Sequence, residues 1–289
     1  MTGCVERFAP SPTGRLHLGH AFSALMAWDA ARAAGGVFRL RIEDLDQTRA
    51  RAEFETGIYD DLRWLSVAWA EPVIRQSERG DAYADALARL AAMGLTYRCV
   101  CTRRDILAAA EAPQEGGLDG VVYPGTCRRS PPAGDGPFAI RLDMAKATAR
   151  VGPVAFREIG AGSGGETGEI AVPPDALIRE CGDIVLARKD AAASYHLAVV
   201  VDDAAEGVTH VTRGEDLFAA TPVHVVLQRL LGAPTPVYRH HRLIRDDVGA
   251  RLAKRSDSVA ISALRTAGWS PERVRREIGL APADRGAED

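Results

Sequence analysis

Two imidazoles three residues apart, His17 and His20, bracket Leu18-Gly19, and His17 lies seven residues after Pro10 of the turn-forming Pro10-Ser11-Pro12. An apolar run from Ala21 to Ala34 follows, so the pair sits where a helix begins. A helix start presents unpaired backbone N–H groups and positive partial charge, and glycine lets a phosphate approach the backbone closely. Imidazoles there could hydrogen-bond a phosphate oxygen as its charge rises. The plainer alternative is that one histidine caps the helix and the other packs against it. A second cluster is Cys99-x-Cys101, followed after 21 intervening residues by Tyr123-x-x-x-Cys127. Clustered thiolates suit Zn²⁺, which takes four tetrahedral ligands. No histidine lies between His20 and His196, so a fourth ligand would be an oxygen or a distant residue. Equally, Cys99 and Cys101 could alternate onto one buried face of a strand. The third cluster is basic: Arg239-His240-His241-Arg242, then Arg251-Leu252-Ala253-Lys254-Arg255-Ser256. The chain carries three lysines, Lys146, Lys189 and Lys254, against 33 arginines. Lys254 is therefore informative, because a compact ammonium meets phosphate as a point charge where guanidinium forms a planar fork.

These groups need elements to position them. Val5 to Ala9 reads as a strand, the run from Ala21 to Ala34 as a helix stopped by Gly35-Gly36, and Val37 to Ile42 as a second strand. Such a βαβ opening places ligands at the carboxyl ends of its strands and phosphates at the helix N-terminus, where His17 and His20 lie. Apolar spacing predicts further helices over Ala52–Leu65 and Asp81–Met93, and strand character returns from Leu95 to Cys101. From there to about Gly182 the chain is rich in proline and glycine, including Gly160-Ala161-Gly162-Ser163-Gly164-Gly165, and reads as an insertion. Tyr195–Asp202 is expected as a compact apolar strand, Val208–Arg213 as another, and Thr221–Leu231 as a helix, before a short helical tail that ends in Asp284–Asp289.

Composition narrows the class. With 46% hydrophobic and 26% charged residues in 289, the chain reads as an ordinary globular protein rather than a disordered segment or a coiled coil. The longest aliphatic run, Leu197–Val201, is far below the roughly 20 apolar residues of a membrane helix. The N-terminus has no secretion-signal pattern, so the cytoplasm is the expected location. A net charge of -3 creates no global field for nucleic acid, leaving RNA contacts to local patches such as Arg103, Arg104, Arg128 and Arg129. Five cysteines argue against a disulfide framework, with Cys4 and Cys181 read as small buried hydrophobes.

Taken together, Arg7-Phe8-Ala9-Pro10-Ser11-Pro12-Thr13-Gly14-Arg15-Leu16-His17-Leu18-Gly19-His20 resembles the signature segment of the class I glutamyl-tRNA synthetases, with His17–His20 as its HIGH element. Arg251–Arg255 resembles the second signature. Arg251 stands where the first lysine is usual and Ala253 where serine is usual, while Lys254 matches the second lysine. Arg39–Asp46, Tyr195–Asp203 and Val211–Asp216 resemble the family's second strand and amino-acid pocket. The resemblance implies an α/β fold: a Rossmann-like parallel sheet with a zinc-bearing insertion and a short helical C-terminal region. It divides the chain into 1–97 and 191–232 as the two halves of the catalytic domain, 98–190 as an acceptor-like insertion, and 233–289 as the signature loop and stem-contact region. It also implies that Arg7, Phe8, Ala9, Pro10, Ser11, Glu43, Tyr195 and Arg213 surround glutamate. Two arginine forks, a hydroxyl and a carboxylate suit a dicarboxylate that carries an ammonium. Val199 replaces an asparagine common in relatives. His17, Gly19, His20 and Lys254 would meet ATP, with Mg²⁺ assisting on the phosphate oxygens. In glutamylating relatives a tyrosine in Y-x-x-x-C is a zinc ligand, which implies Cys99, Cys101, Tyr123 and Cys127 here.

Only 34 residues follow Arg255, so the chain resembles the truncated branch of this family, in which glutamate is activated without tRNA and esterified to queuosine at the wobble position of tRNA(Asp). A monomer is expected. Two alternatives stand beside this: a minimal glutamyl-tRNA synthetase charging the tRNA 3′ end, and a noncatalytic tRNA-binding paralogue.

Overall fold

The computed structural model describes residues 3–109, 121–134, 136–244 and 259–282. Its opening is β1 (Val5–Phe8), α1 (Leu18–Ala33) and β2 (Val37–Ile42). The helix starts three residues before the apolar run, because His17 caps it: the Gly19 N–H donates to His17 Nδ1 at 3.1 Å. At its end Gly35 takes a left-handed φ of 60° and Gly36 passes so close to the Cys4 carbonyl that a Cβ would collide with it. Next come α2 (Ala52–Trp64), β3 (Ala70–Arg75), α3 (Gly80–Ala92), β4 (Thr96–Cys99) and two short helices, α4 (Arg103–Ala109) and α5 (Thr126–Arg129). The chain continues through β5 (Ala139–Leu142), α6 (Met144–Val151), β6 (Val154–Glu158), β7 (Gly168–Val172), the one-turn α7 (Pro174–Ala176) and β8 (Val185–Ala187). It closes with α8 (Tyr195–Ala205), β9 (His210–Gly214), α9 (Thr221–Leu231), β10 (Val237–His241), α10 (Ile261–Thr266) and α11 (Pro271–Glu277).

Three sheets result. β1, β2 and β3 are parallel in that order, with Val5 opposite Val37 and Phe8 opposite Leu40. The order β7-β6-β10-β9 forms a second sheet, parallel except for the β6–β7 hairpin. Thus β6 and β7, within the stretch expected as an insertion, are strands of the sheet that carries β9 and β10. The two sheets meet where the Thr209 N–H donates to the Val5 carbonyl at 3.0 Å and Val5 N–H to Thr209 Oγ1 at 2.8 Å. Arg7, two residues beyond Val5, donates to the carbonyl of Thr212, three residues beyond Thr209, so β1 and β9 run the same way. The third sheet, β4-β5-β8, is antiparallel.

The strand expected over Tyr195–Asp202 is instead helix α8. Ser194 caps it, its hydroxyl accepting from Leu197 N–H at 3.5 Å. A continuous apolar run does not distinguish a buried strand from a buried helix. Three consecutive valines favour strand locally, but Leu197, Ala198, Val199 and Val200 are all buried and join a core with Val223, Val226 and Leu227 of α9 and Leu186 of β8. Packing on nearly all sides overrides propensity. A separate core beneath the first sheet gathers Leu25, Leu40, Ile58 and Leu62 with Ile261, Leu264, Val274 and Ile278 from α10 and α11. Arg275 holds that tail to Asp29 of α1 through two contacts of 2.8 Å. Among the described residues no helix is long and apolar enough to cross a membrane.

Candidate active site

The junction of β1 and β9 is a topological switch point: from β1 the sheet runs to β2 and β3 on one side and to β9, β10 and β6 on the other. Ligands of open α/β sheets bind in the crevice at the carboxyl ends of strands at such a point. Arg7 stands near the end of β1 and Arg213 near the end of β9. Glu43 follows β2, its N–H donating to the Pro10 carbonyl at 3.0 Å, so the Ala9-Pro10-Ser11 turn is stitched to the second strand. Phe8 and Pro10 are buried and Ser11 half-buried. Tyr195 opens α8 and Val199 lies one turn on, placing both on the helix face that also carries Asp203. The Tyr195 hydroxyl accepts from Arg213 Nη1 at 3.4 Å. The structure thus brings Arg7, Glu43, Tyr195 and Arg213 to one place at these strand ends.

Three carboxylates and two guanidiniums lock one side of it. Arg7 Nε donates to Asp203 Oδ1 at 3.1 Å, and Arg41 Nη1 donates to the same oxygen at 2.8 Å and to Glu206 at 2.6 Å. Arg41 Nη2 reaches Glu43 at 3.3 Å. Arg41 is fully buried. Burial alone would raise the Asp203 carboxyl, yet the Arg7 and Arg41 guanidiniums outweigh it and hold the group below its ordinary value. For Glu43 burial wins, and its carboxyl is raised despite Arg41 and Arg7. Any cation placed beside Glu43 would stabilise its charge. Arg41, Asp203 and Glu206 were not among the sequence-predicted site residues; the acidic pair Asp202-Asp203 was the available signal.

Arg213 has a different setting. It is buried, and its contacts are His240 Nε2 at 3.0 Å, His224 Nδ1 at 3.2 Å, the Leu217 carbonyl at 3.2 Å, Thr221 Oγ1 at 2.8 Å and the Tyr195 hydroxyl. All of these acceptors are neutral, and among the described residues it makes no ion pair. A buried guanidinium without a counterion is costly, and an anion that approached it would supply the missing charge.

At the neighbouring helix start, His17 and His20 form a reciprocal capping box, His17 N–H donating to His20 Nδ1 at 3.2 Å, with ring centroids 3.8 Å apart. The capping role thus falls on both side chains, and Gly19 lies against the His17 ring. His17 also forms an isolated antiparallel bridge with Ala260, and the Ile261 N–H donates to the Leu16 carbonyl at 2.9 Å. Lys254, with Arg251 and Ala253, lies outside the described residues.

In the insertion, the Cys99, Cys101 and Cys127 sulfurs lie within 4.8 Å of one another. Cys101 and Cys127 are 3.4 Å apart, and the Tyr123 hydroxyl stands 3.5 Å from both Cys99 and Cys101. Zinc–sulfur bonds of about 2.3 Å imply tetrahedral sulfur–sulfur edges of about 3.8 Å, so this donor set fits Zn²⁺. Burial would raise the Cys127 thiol, but hydrogen bonds led by that from Tyr123 bring it down to about 7, whereas burial pushes Cys101 up to about 11. Arg128, considered above as an RNA contact, is tied to Asp183 at 2.9 and 2.8 Å.

Comparison with known proteins agrees with this geometry. Residues 4–284 match the family of class I tRNA synthetases (E and Q), catalytic domain. The chain belongs to this family and is a ligase-type enzyme of the class I synthetase fold. It is 56% identical over 283 residues to the glutamyl-Q tRNA(Asp) synthetase of Rhodobacter capsulatus, covering 96% of this chain and 100% of that protein. It is 45% identical to the protein of the same name from Symbiobacterium thermophilum, over 93% of this chain and 83% of that one. A solved glutamate tRNA ligase from Elizabethkingia meningosepticum, in complex with its amino acid, superposes with a TM-score of 0.76 at 26% identity. That match covers 98% of this chain and 62% of the ligase.

Proposed function

We propose that this enzyme activates glutamate with ATP and transfers it to the cyclopentenediol of queuosine at the wobble position of tRNA(Asp). The observation that carries the acceptor is the 56% identity along the whole length of the Rhodobacter capsulatus glutamyl-Q tRNA(Asp) synthetase. The crevice supports glutamate: two buried guanidiniums for two carboxylates, Glu43 for the ammonium, and Ser11 and Tyr195 as hydroxyl partners. An α-carboxylate oxygen of glutamate attacks the α-phosphorus of ATP, the bond to the bridging oxygen breaks, and pyrophosphate leaves. Little proton chemistry is needed, so the protein works by positioning and charge stabilisation. His17, Gly19 and His20 at the start of α1, together with Lys254, stabilise charge on the phosphates; Mg²⁺ supplies further charge neutralisation. A queuosine hydroxyl then attacks the glutamyl carbonyl carbon, the bond from that carbon to the phosphate oxygen breaks, and AMP departs, its phosphate taking up the hydroxyl proton. Activation proceeds without tRNA, and the working unit is a monomer. Cys99, Cys101, Tyr123 and Cys127 hold one structural Zn²⁺ that fastens the insertion.

On this reading 1–97 and 191–232 are the two halves of the activation domain, with β6, β7 and β10 lending strands to the second. Apart from those strands, 98–190 form the insertion and 233–289 the signature loop and tail. The test follows labelled glutamate, with ATP and Mg²⁺, onto tRNA(Asp) from cells that make queuosine and from cells that do not, with nuclease mapping of the label. Label confined to the queuosine-bearing anticodon is expected. Label on the 3′ end of tRNA(Glu) would sink the proposal in favour of a minimal synthetase, and no label anywhere would favour a noncatalytic tRNA-binding protein.

A further inference from the structure

Behind Arg213 lies a buried pair outside the substrate crevice. Glu158 ends β6 and His240 sits on β10, and the sheet order makes these strands neighbours. Glu158 Oε2 is 2.5 Å from His240 Nδ1, while Glu158 Oε1 accepts two backbone N–H groups, from His240 at 2.9 Å and Gly160 at 2.8 Å. A carboxylate accepts only, so His240 carries its proton on Nδ1. Its Nε2 is then a lone pair, and Arg213 Nε donates to it at 3.0 Å. We propose that Glu158 and His240 are positioning residues for Arg213: the carboxylate fixes the imidazole tautomer, and the imidazole holds the Nε edge of the guanidinium so that its two terminal nitrogens face the substrate carboxylate.

Several observations support this. Thr221 Oγ1 braces Nη2 at 2.8 Å, whereas the contacts to Tyr195, His224 and Leu217 are longer, at 3.2–3.4 Å, and are the ones a carboxylate would displace. Burial lowers His240 to about 4, with Arg213 adding to the effect, so its lone pair persists at neutral pH. Gly160 approaches so closely that a Cβ there would collide with the His240 carbonyl, which keeps the carboxylate clamp compact. The inference rests on Arg213 binding the amino acid.

Glu158→Gln tests it sharply. The two backbone N–H groups select an oxygen at the Oε1 position, leaving the new amide NH₂ against Nδ1. The imidazole must then protonate Nε2, which turns a donor toward the Arg213 N–H. In glutamate-dependent pyrophosphate exchange, Glu158→Gln and His240→Leu are expected to raise the glutamate KM at least tenfold, with the ATP KM changed less than twofold. His240→Gln, which keeps an acceptor for Arg213 and a donor for Glu158, should restore the glutamate KM to within about threefold, on the scale of one hydrogen bond. Nitrogen NMR of labelled histidine in the unmodified enzyme should show His240 protonated at Nδ1. Protonation at Nε2 would overturn the proposal without any variant, as would equal rises in both KM values or an unchanged glutamate KM in Glu158→Gln. An unmodified enzyme that binds no glutamate would instead overturn the amino-acid reading, and this inference with it.

Discussion

Replacing Asp203 by asparagine probes the charge cluster that holds Arg7. One Asp203 oxygen accepts from both Arg7 Nε and Arg41 Nη1. Cutting one partner from a buried ion pair costs about 3–5 kcal/mol. Arg41 keeps Glu206 and Glu43, and asparagine keeps one carbonyl acceptor, so the low end applies, about 3 kcal/mol. A chain of this length loses roughly 2 °C of Tm per kcal/mol, giving an expected fall of about 6 °C at pH 7. The sign with pH follows from the depressed Asp203 carboxyl. Its stabilisation is full above its ordinary value of 3.8 and is lost as pH falls through the lower folded value. The gap between parent and variant should therefore close only below pH 3.8. Calorimetric melts between pH 3 and 8 measure this, and glutamate titration at pH 7 measures the site: a loosened Arg7 should weaken binding by about tenfold, one step of roughly 1.4 kcal/mol. An unchanged Tm with an unchanged glutamate affinity would refute the role given to the cluster.

Asp61 behaves oppositely. Its side chain is buried with Oδ1 unpartnered among the described residues, and burial drives the carboxyl up to about 6 against the pull of Arg265. Asp61→Asn should stabilise the protein by about 1–2 kcal/mol at pH 7.5 after solvent screening. That gain should vanish as pH drops through 6 toward 3.8, and a variant less stable than the parent at pH 7.5 would contradict it. Metal analysis of the purified enzyme should find one zinc per chain. Chelation or Cys101→Ser should lower Tm while leaving glutamate activation intact; activation lost in step with the metal would refute a structural role. His20→Ala should slow adenylate formation by about 10²–10³, the range for one transition-state donor, with little change in glutamate KM. A rate within threefold of the parent would remove His20 from the phosphate site.

What could be read from the sequence depended on locality. The strand Val37–Ile42 and the helix Thr221–Leu231 form over the expected residues because alternation and helical spacing are short-range patterns. The Cys99-x-Cys101 and Tyr123-x-x-x-Cys127 cluster was visible for the same reason. Tyr195–Asp202 forms a helix rather than the expected strand because its period is ambiguous and its burial comes from α9 and β8, which no local window contains. Arg41–Glu206, Glu158–His240 and Arg7–Asp203 stand far apart in sequence, and only the order of β6 and β10 and the placement of α8 make them partners.

The bridge between His17 and Ala260 has a kinetic meaning. It ties the chain at Val259 and Ala260 to the start of α1, and Lys254 is five residues from Val259. Covalent geometry confines its α-carbon to within about 17 Å of that anchor. With about 6 Å of side chain added, the ammonium is confined to a sphere of about 23 Å radius, an effective concentration of roughly 0.03 M. On the proposed function Lys254 would be a tethered reagent, its encounter with a phosphate at the helix start intramolecular before any specific contact forms.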